Sequence, residues 1–226
     1  MKLASFGCSF LFGFDGGQYE NKDYSAGYHL SKLMNREWIN NSFNGIGNDV
    51  IYEKLLTSHQ QGQINPKDTF ILIGWTAGYR RKIFVEDKSY ITYAPSQTPL
   101  ENDSLTWELE YFLSNINFVY YEVLKNINST YYMLESLGYK YLMFDSLSPM
   151  TSFPGVDEEE CYIDEMYVPK EFFDIKDSIK NYSDLNYYNW IQDNGEKVFV
   201  SPTDHHPNPY GAEQFSKLLY DEITNE

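Results

Sequence analysis

Short apolar runs alternate along the chain with longer stretches in which apolar residues recur at helical spacing. The apolar runs predict buried strands, at residues 3–6, 38–39, 69–73, 139–144 and 198–200. The helical spacing predicts helices, at residues 24–35, 50–58, 105–137 and from Pro209 onward. Apolar strands that alternate with helices are typical of a parallel sheet covered on both faces. The pattern therefore predicts an α/β fold whose site lies beyond the carboxyl ends of the strands.

Two regions lack this regularity. Residues 75–104 show no clear period and include two prolines, so we interpret them as a long loop. Residues 148–198 are rich in proline and acidic side chains and predict an insertion or lid, with short helices near 169–181 and 184–192. A chain of 226 residues that is 42% hydrophobic is long enough for one well-buried core, so we expect a single domain over residues 1–226.

The chain is strongly acidic, with 33 Asp and Glu against 17 Lys and Arg and a formal net charge of −16. Because nucleic acids are bound largely through Lys and Arg contacts to phosphates, this balance argues against a nucleic-acid partner. No apolar run approaches the roughly 18 residues of a membrane span, and the first residues lack the apolar core of a signal peptide. Cys8 and Cys161 alone do not make a disulfide framework. We therefore expect a cytoplasmic protein with no membrane partner, and the pattern specifies no oligomeric state.

A serine follows the first predicted strand, in the segment Phe6-Gly7-Cys8-Ser9-Phe10-Leu11-Phe12-Gly13. A strand-to-helix turn exposes a serine hydroxyl and leaves backbone N–H groups nearby, but the hydroxyl needs a base to become a nucleophile. Taken alone, such a serine is more typical of a helix cap. Cys8 is a second candidate nucleophile, although we expect it to pack inward beside the sheet, as free cysteines tend to do.

A histidine and an aspartate precede the last predicted helix, in the segment Asp204-His205-His206-Pro207. An acid two residues before a histidine can orient the imidazole as a general base, which favours His206 as the base and Asp204 as its partner. The same three side chains, Asp204, His205 and His206, can also be interpreted as part of a metal site. A surface turn without a chemical role is the third alternative.

Two further polar segments follow predicted strands. Glycines in the segment Asn40-Asn41-Ser42-Phe43-Asn44-Gly45-Ile46-Gly47-Asn48 allow the backbone to approach a ligand closely. After the strand at residues 69–73, the hydroxyl of Thr76 can donate a hydrogen bond to an oxyanion. Each of these segments, taken alone, is more typical of an ordinary loop.

The order of the four segments resembles that of the SGNH/GDSL hydrolase family. Gly7-Cys8-Ser9 is similar to the Gly-Asp-Ser block, Gly45 to the glycine of the second block, Gly74-Trp75-Thr76 to Gly-x-Asn, and Asp204 to Pro207 to the final Asp-x-His-Pro block. The resemblance is to members found in phage and bacterial genomes, which would also allow a virion-associated location. It implies a three-layer α/β/α sandwich of flavodoxin-like topology and a serine esterase that needs no cofactor and no metal.

The same resemblance implies roles for individual residues. Ser9 would be the nucleophile, His206 the base and Asp204 its orienting acid. Ser9, Gly45 and Thr76 would form the oxyanion hole, and the substrate contacts would come from Phe10, Asn48, Trp75 and Arg80. The implied substrate is a carboxylic ester of a small molecule or a glycan, for example a sugar O-acetyl group.

The sequence departs from the family pattern at two positions. Cys8 stands where the family has aspartate, and Thr76 stands where it has asparagine. Because a threonine hydroxyl is shorter than an asparagine amide, Asn44 or Asn48 is a candidate to complete the oxyanion hole. A catalytically inactive binding or virion structural module, and a metal-dependent hydrolase using Asp204, His205 and His206, are the competing hypotheses.

Overall fold

The computed structural model describes residues 1–16, 20–78, 80–84, 90–93, 116–147 and 178–225 of the chain. Nine strands lie in these ranges, in chain order β1 (Lys2–Gly7), β2 (Glu37–Asn40), β3 (Thr69–Trp75), β4 (Arg81–Phe84), β5 (Tyr90–Tyr93), β6 (Lys140–Asp145), β7 (Tyr182–Asn186), β8 (Phe199–Ser201) and β9 (Asp204–Pro207). Five of them form a parallel sheet in the order β2-β1-β3-β6-β7. Two antiparallel hairpins, β4–β5 and β8–β9, lie outside that sheet.

Helices cover both faces of the sheet. Within the described ranges they are α1 (Ser9–Phe12), α2 (Ala26–Leu33), α3 (Asn48–Gln60), α4 (Ile116–Leu137), α5 (Tyr187–Asn194) and α6 (Pro209–Thr224). Helices α3 and α4 share one hydrophobic cluster with the sheet, whereas α1, α2, α5 and α6 share the other. The predicted three-layer α/β/α sandwich is confirmed.

The alternation of side chains along each strand divides the core into these two clusters. In β1, Ala4 and Phe6 face the cluster of α3 and α4, and Leu3 faces the opposite cluster. All seven residues of β3 are buried, because this central strand is covered on both sides. The apolar runs in the sequence therefore mark strands that had to be apolar on both faces.

The long helix ends as expected and is described from Ile116, while residues 105–115 of the prediction lie outside the described residues. In the part of the chain that the structure describes, no helix combines the length and the apolar character needed to cross a membrane.

Two predictions about irregular regions need correction. The insertion predicted over residues 148–198 is wrong at its C-terminal end, because β7 is the fifth strand of the main sheet and α5 packs against it. Residues 148–177 lie outside the described residues, and so does most of the helix predicted near 169–181. The loop predicted over residues 75–104 contains the β4–β5 hairpin.

The strand order locates the site. The chain passes from β1 to β2 on one side and then returns to β3 on the other, so the order reverses between β1 and β3. In sheets of this kind the ligand crevice lies at the carboxyl ends of such a pair. Gly7 of β1 pairs with Gly74 of β3, and Ser9 and Thr76 each lie two residues beyond this pair. Both therefore lie at the crevice.

Candidate active site

Three predicted residues form one chain of hydrogen bonds. Ser9 Oγ lies 2.8 Å from His206 Nε2, and His206 Nδ1 lies 2.6 Å from Asp204 Oδ1. An ionised carboxylate only accepts, so the proton of the neutral imidazole belongs on Nδ1, where it is donated to Asp204. This leaves Nε2 to accept the hydroxyl proton of Ser9. Ser9 is only 2% exposed, so this bond is shielded from bulk water.

Local backbone structure holds each member of this chain. Ser9 is the first residue of α1, directly after β1. Asp204 and His206 are two residues apart on β9, so their side chains leave the strand on the same face. The backbone N–H of His206 also donates to Asp204 Oδ1 at 3.1 Å. Asn208 then caps α6 by accepting from Gly211 N, and its amide donates to Phe199 O, which fixes the hairpin against the helix.

Two aromatic rings enclose the imidazole of His206. The ring centroid of Phe10 lies 5.2 Å from that of His206, and the ring centroid of Phe14 lies 4.6 Å from it. Phe10 is 4% exposed and belongs to the core, and its predicted contact with substrate stays a prediction. Phe14 was missed, because no spacing in the sequence distinguishes it from other loop aromatics. The turn at Gly13, which has a φ of +88°, brings it back over the site.

The surroundings of His206 and Asp204 shift the pKa of both side chains. Burial is the main cause that lowers the pKa of His206, and it outweighs the opposing effect of Asp204; the positive charges of Arg80 and His205 lower that pKa further. Burial alone would raise the pKa of Asp204, but hydrogen bonds from the side chain and backbone of His206 lower it below its ordinary value. The imidazole is therefore neutral and the carboxylate ionised near neutral pH, as a general base and its partner require.

The opposite side of Ser9 is formed by Asn48 and Thr76, and the Thr76 side chain is fully buried. Asn48 holds Thr76 through two hydrogen bonds to its backbone: Thr76 N donates to Asn48 Oδ1 at 2.8 Å, and Asn48 Nδ2 donates to Thr76 O at 2.8 Å. A side-chain amide carries two N–H bonds, and this contact uses one of those on Asn48. The roles predicted for Thr76 in the oxyanion hole and for Asn48 at the substrate stay predictions.

Three other predicted residues have different surroundings. Trp75 is fully buried in the cluster of α3 and α4, and its predicted contact with substrate stays a prediction. Cys8 is fully buried in the opposite cluster, which confirms that it packs inward. Gly45 lies in a turn with a φ of +73°, and the preceding Phe43 N donates to Gly7 O at 3.0 Å. That bond brings the turn beside the end of β1.

The backbone at Ser9 provides donors for an oxyanion. The first intrahelical bonds of α1 are those from Leu11 N and Phe12 N to Cys8 O. The N–H of Ser9 comes before them and lies in the first turn, where helical N–H groups have no acceptor within the helix. Together with the turn at Gly45, it remains a candidate oxyanion donor.

Arg80 lies on the same side of the site as Thr76. Its Nη1 donates to Thr76 Oγ1 at 3.2 Å, and its charge is close enough to influence the pKa of His206. The structure thus retains Arg80 near the predicted reacting groups, whereas Phe10, Asn48 and Trp75 are turned into the protein.

His205 points away from this assembly. Its ring stacks on Phe199 at 4.6 Å, and its Nδ1 lies 3.2 Å from Gln192 Nε2. Among the described residues, no group of three or more His, Cys, Asp or Glu side chains is arranged to hold a metal ion. The geometry therefore favours the hydrogen-bonded chain over the metal-dependent hypothesis.

No family model matches the sequence, and no curated protein matches it. Solved structures resemble the chain over nearly its full length. A lipolytic protein of the G-D-S-L family from Desulfitobacterium hafniense DCB-2 is similar with a TM-score of 0.56 and 17% identity, over 98% of each chain. The psychrotrophic esterase EstA from Pseudoalteromonas sp. is similar with a TM-score of 0.56 and 13% identity, over 99% of this chain and 97% of that one.

An acetyl xylan esterase, Est2A from the rumen bacterium Butyrivibrio proteoclasticus, is also similar, with a TM-score of 0.52 and 14% identity. The match covers 99% of this chain and 63% of that one. At these identities the likeness concerns the fold. The five-stranded parallel sheet and its flanking helices give this chain the α/β fold of the GDSL/SGNH lipases and esterases.

Proposed function

We propose that the protein hydrolyses carboxylic esters through an acyl-enzyme formed on Ser9. The observation that carries the proposal is the continuous set of hydrogen bonds from Ser9 Oγ through His206 to Asp204, at 2.8 and 2.6 Å. A nucleophile bonded to a base, and that base bonded to an orienting acid, is the arrangement that activates a serine hydroxyl. The fold is one found in esterases and lipases, which agrees with this chemistry.

The reaction follows from the proton positions. His206 Nε2 takes the proton of Ser9 as the serine oxygen attacks the ester carbonyl, and the ionised Asp204 stabilises the resulting imidazolium. The N–H groups of Ser9 and Gly45 are the proposed donors to the oxyanion. The intermediate collapses to an acyl-serine, and His206 returns its proton to the leaving alcohol. Water, deprotonated by His206, then releases the acid and restores Ser9.

The proposed substrate class rests on the structural neighbours and on the charge of the chain. The neighbours include a named esterase and an acetyl xylan esterase, so we propose a small-molecule ester or an O-acetylated glycan as the substrate. The formal charge of −16 disfavours strongly anionic substrates, because the field of the whole chain repels them.

The test is covalent labelling of Ser9. A fluorophosphonate probe should modify the wild-type protein on the peptide that contains Ser9, and Ser9→Ala should not be labelled. Turnover of p-nitrophenyl acetate should disappear in the same variant. Ser136→Ala, which removes an exposed hydroxyl from α4, is the matched control and should retain wild-type labelling.

An inactive binding module with the same fold is the second candidate. Thr76 favours it, because the family pattern has an asparagine donor at this position. Wild-type protein that neither reacts with the probe nor turns over the ester faster than Ser9→Ala would support the binding module and overturn the hydrolase.

A further inference from the structure

Arg80 is a half-buried cation with which no carboxylate forms an ion pair within the described ranges. Its Nη1 donates to Thr76 Oγ1. Its Nε is buried and has no hydrogen-bond partner among the described residues. Because a buried N–H without an acceptor is costly, a guanidinium in this position is suited to meet an anion.

The backbone of Arg80 is held firmly against α3. A Cβ at Gly47 would lie 2.2 Å from Arg80 O, so the close approach of this carbonyl requires glycine at residue 47. Two residues later, Lys82 N donates to Asp49 Oδ2 at 2.9 Å, and Lys82 Nζ lies 2.6 Å from Glu53 Oε2. These contacts hold the backbone at Arg80 and Lys82 against α3.

The side chain of Arg80 is directed toward the strand ends. Thr76, to which it donates, lies two residues beyond Gly74, as Ser9 lies two residues beyond Gly7, and these two glycines pair across β3 and β1. Asn48 fixes the backbone of Thr76 through two hydrogen bonds, so the anchor of the guanidinium cannot shift easily. The guanidinium therefore lies beside Thr76 at the end of β3, the strand that pairs with β1.

We infer that Arg80 is the charged oxyanion donor of this site, acting from its position beside Thr76. This inference rests on the proposed ester hydrolysis. As the oxygen of Ser9 bonds to the carbonyl carbon, the carbonyl oxygen gains a negative charge, and the guanidinium stabilises it by a charge-assisted hydrogen bond. Thr76 then acts as the positioning residue for Arg80.

A different role for the same charge would be recognition of a carboxylate on the substrate. The two roles separate with a pair of esters, neutral p-nitrophenyl acetate and anionic mono-p-nitrophenyl succinate. An oxyanion donor acts on every ester at the chemical step, so its loss lowers kcat for both. A carboxylate-binding residue acts on the succinate alone, mostly through KM.

The experiment compares Arg80→Met and Arg80→Gln with wild type on both esters. Gln retains a donor for Thr76 Oγ1 without the charge, so it tests the idea even when Met disturbs the loop. Arg36→Met is the matched control, because Arg36 donates to Lys2 O at the other end of the sheet. Thermal unfolding and circular dichroism establish that each variant is folded.

The expected result is a loss of roughly 100- to 1,000-fold in kcat for both esters in Arg80→Met, with little change in KM. Arg36→Met should keep the wild-type kcat. The acidic limb of the pH–rate profile should also move upward in both Arg80 variants, because the charge that lowers the pKa of His206 is lost. An unchanged kcat for the neutral ester in folded Arg80 variants overturns the inference while leaving ester hydrolysis intact. Wild-type protein without Ser9-dependent turnover overturns both.

Discussion

The two sides of Ser9 are built by different means. On the side of β9, Asp204 and His206 present their polar atoms to the serine and to each other in an unbroken series. On the side of β3, the Asn48 side chain bonds the backbone of Thr76, and Thr76 Oγ1 accepts from Arg80 Nη1; Asn48 and Thr76 are both buried. The side of β9 takes part in the proton transfer directly. The side of β3 supports the site without exchanging a proton with Ser9.

The comparison teaches how substitutions at each side should be interpreted. A change on the β9 side removes a group that exchanges a proton with the nucleophile, so it should act on the chemical step with little effect on stability. A change at Asn48 or Thr76 removes support, so it should affect the free energy of unfolding and activity together. The predictions that follow test this division, beginning with the largest effect.

The largest effect is expected when the base is removed. His206→Ala should lower kcat roughly 10⁶-fold, and Ser9→Ala should cost about as much, because the two groups act as a unit. The double variant should therefore be no worse than either single one. Ester turnover at high enzyme concentration measures this, with His205→Ala as control, since His205 stacks on Phe199 instead. Multiplicative losses in the double variant would contradict the idea of one unit.

Removing the charge of the acid should have the next largest effect. Asp204→Asn keeps the shape but presents an amide to His206 Nδ1, which favours the wrong tautomer and should lower kcat roughly 10⁴-fold. Asp193→Asn, on the exposed face of α5, should have no effect on the same assay. A loss as small as that of the control would mean that Asp204 does not orient the imidazole.

Substitution of Asn48, on the side of β3, should affect stability as well as activity. Asn48→Ala leaves the buried N–H and C=O of Thr76 without partners and should cost about 2 kcal/mol of unfolding free energy. The displaced support should also lower kcat roughly 10- to 100-fold. Urea unfolding and ester kinetics measure the two quantities. Gln61→Ala, at the exposed end of α3, is the control, and stability unchanged in Asn48→Ala would break the distinction between the two sides.

The smallest effect concerns pH. His206 must be neutral to accept a proton, so activity is lost as the pH falls through its pKa. Burial, with Arg80 and His205, lowers that pKa against the pull of Asp204, so the midpoint of the acidic limb of kcat/KM should lie below about 6.5, the ordinary value for histidine. A pH–rate profile on a neutral ester measures this midpoint, and a value above 6.5 would contradict the assigned environment.

The sequence predicted the features that local pattern controls. Strands β1, β3 and β6 are apolar because both their faces are covered, and the two-residue interval between Asp204 and His206 corresponds to one face of a strand. Asn208 and Pro209 predicted the start of α6 from capping chemistry alone.

What the sequence could not predict depends on tertiary packing. Strand β7 has the sequence YSDLN, whose polar residues conceal a strand at the edge of the sheet. The direction of Asn48 is decided by the end of β3 coming beside α3, which no local pattern encodes. Likewise Trp75, next to a polar loop in sequence, is turned into the core by its place on the central strand.

Gly47, directly before α3, lies against the backbone carbonyl of Arg80. Hydrogen is the only side chain that fits beneath Arg80 O. Asp49 and Glu53 of α3 bond Lys82, so the segment after β3 is held against α3. The position of Arg80 O is therefore tied to the start of α3, and any larger side chain at residue 47 would push the segment after β3 away from that helix.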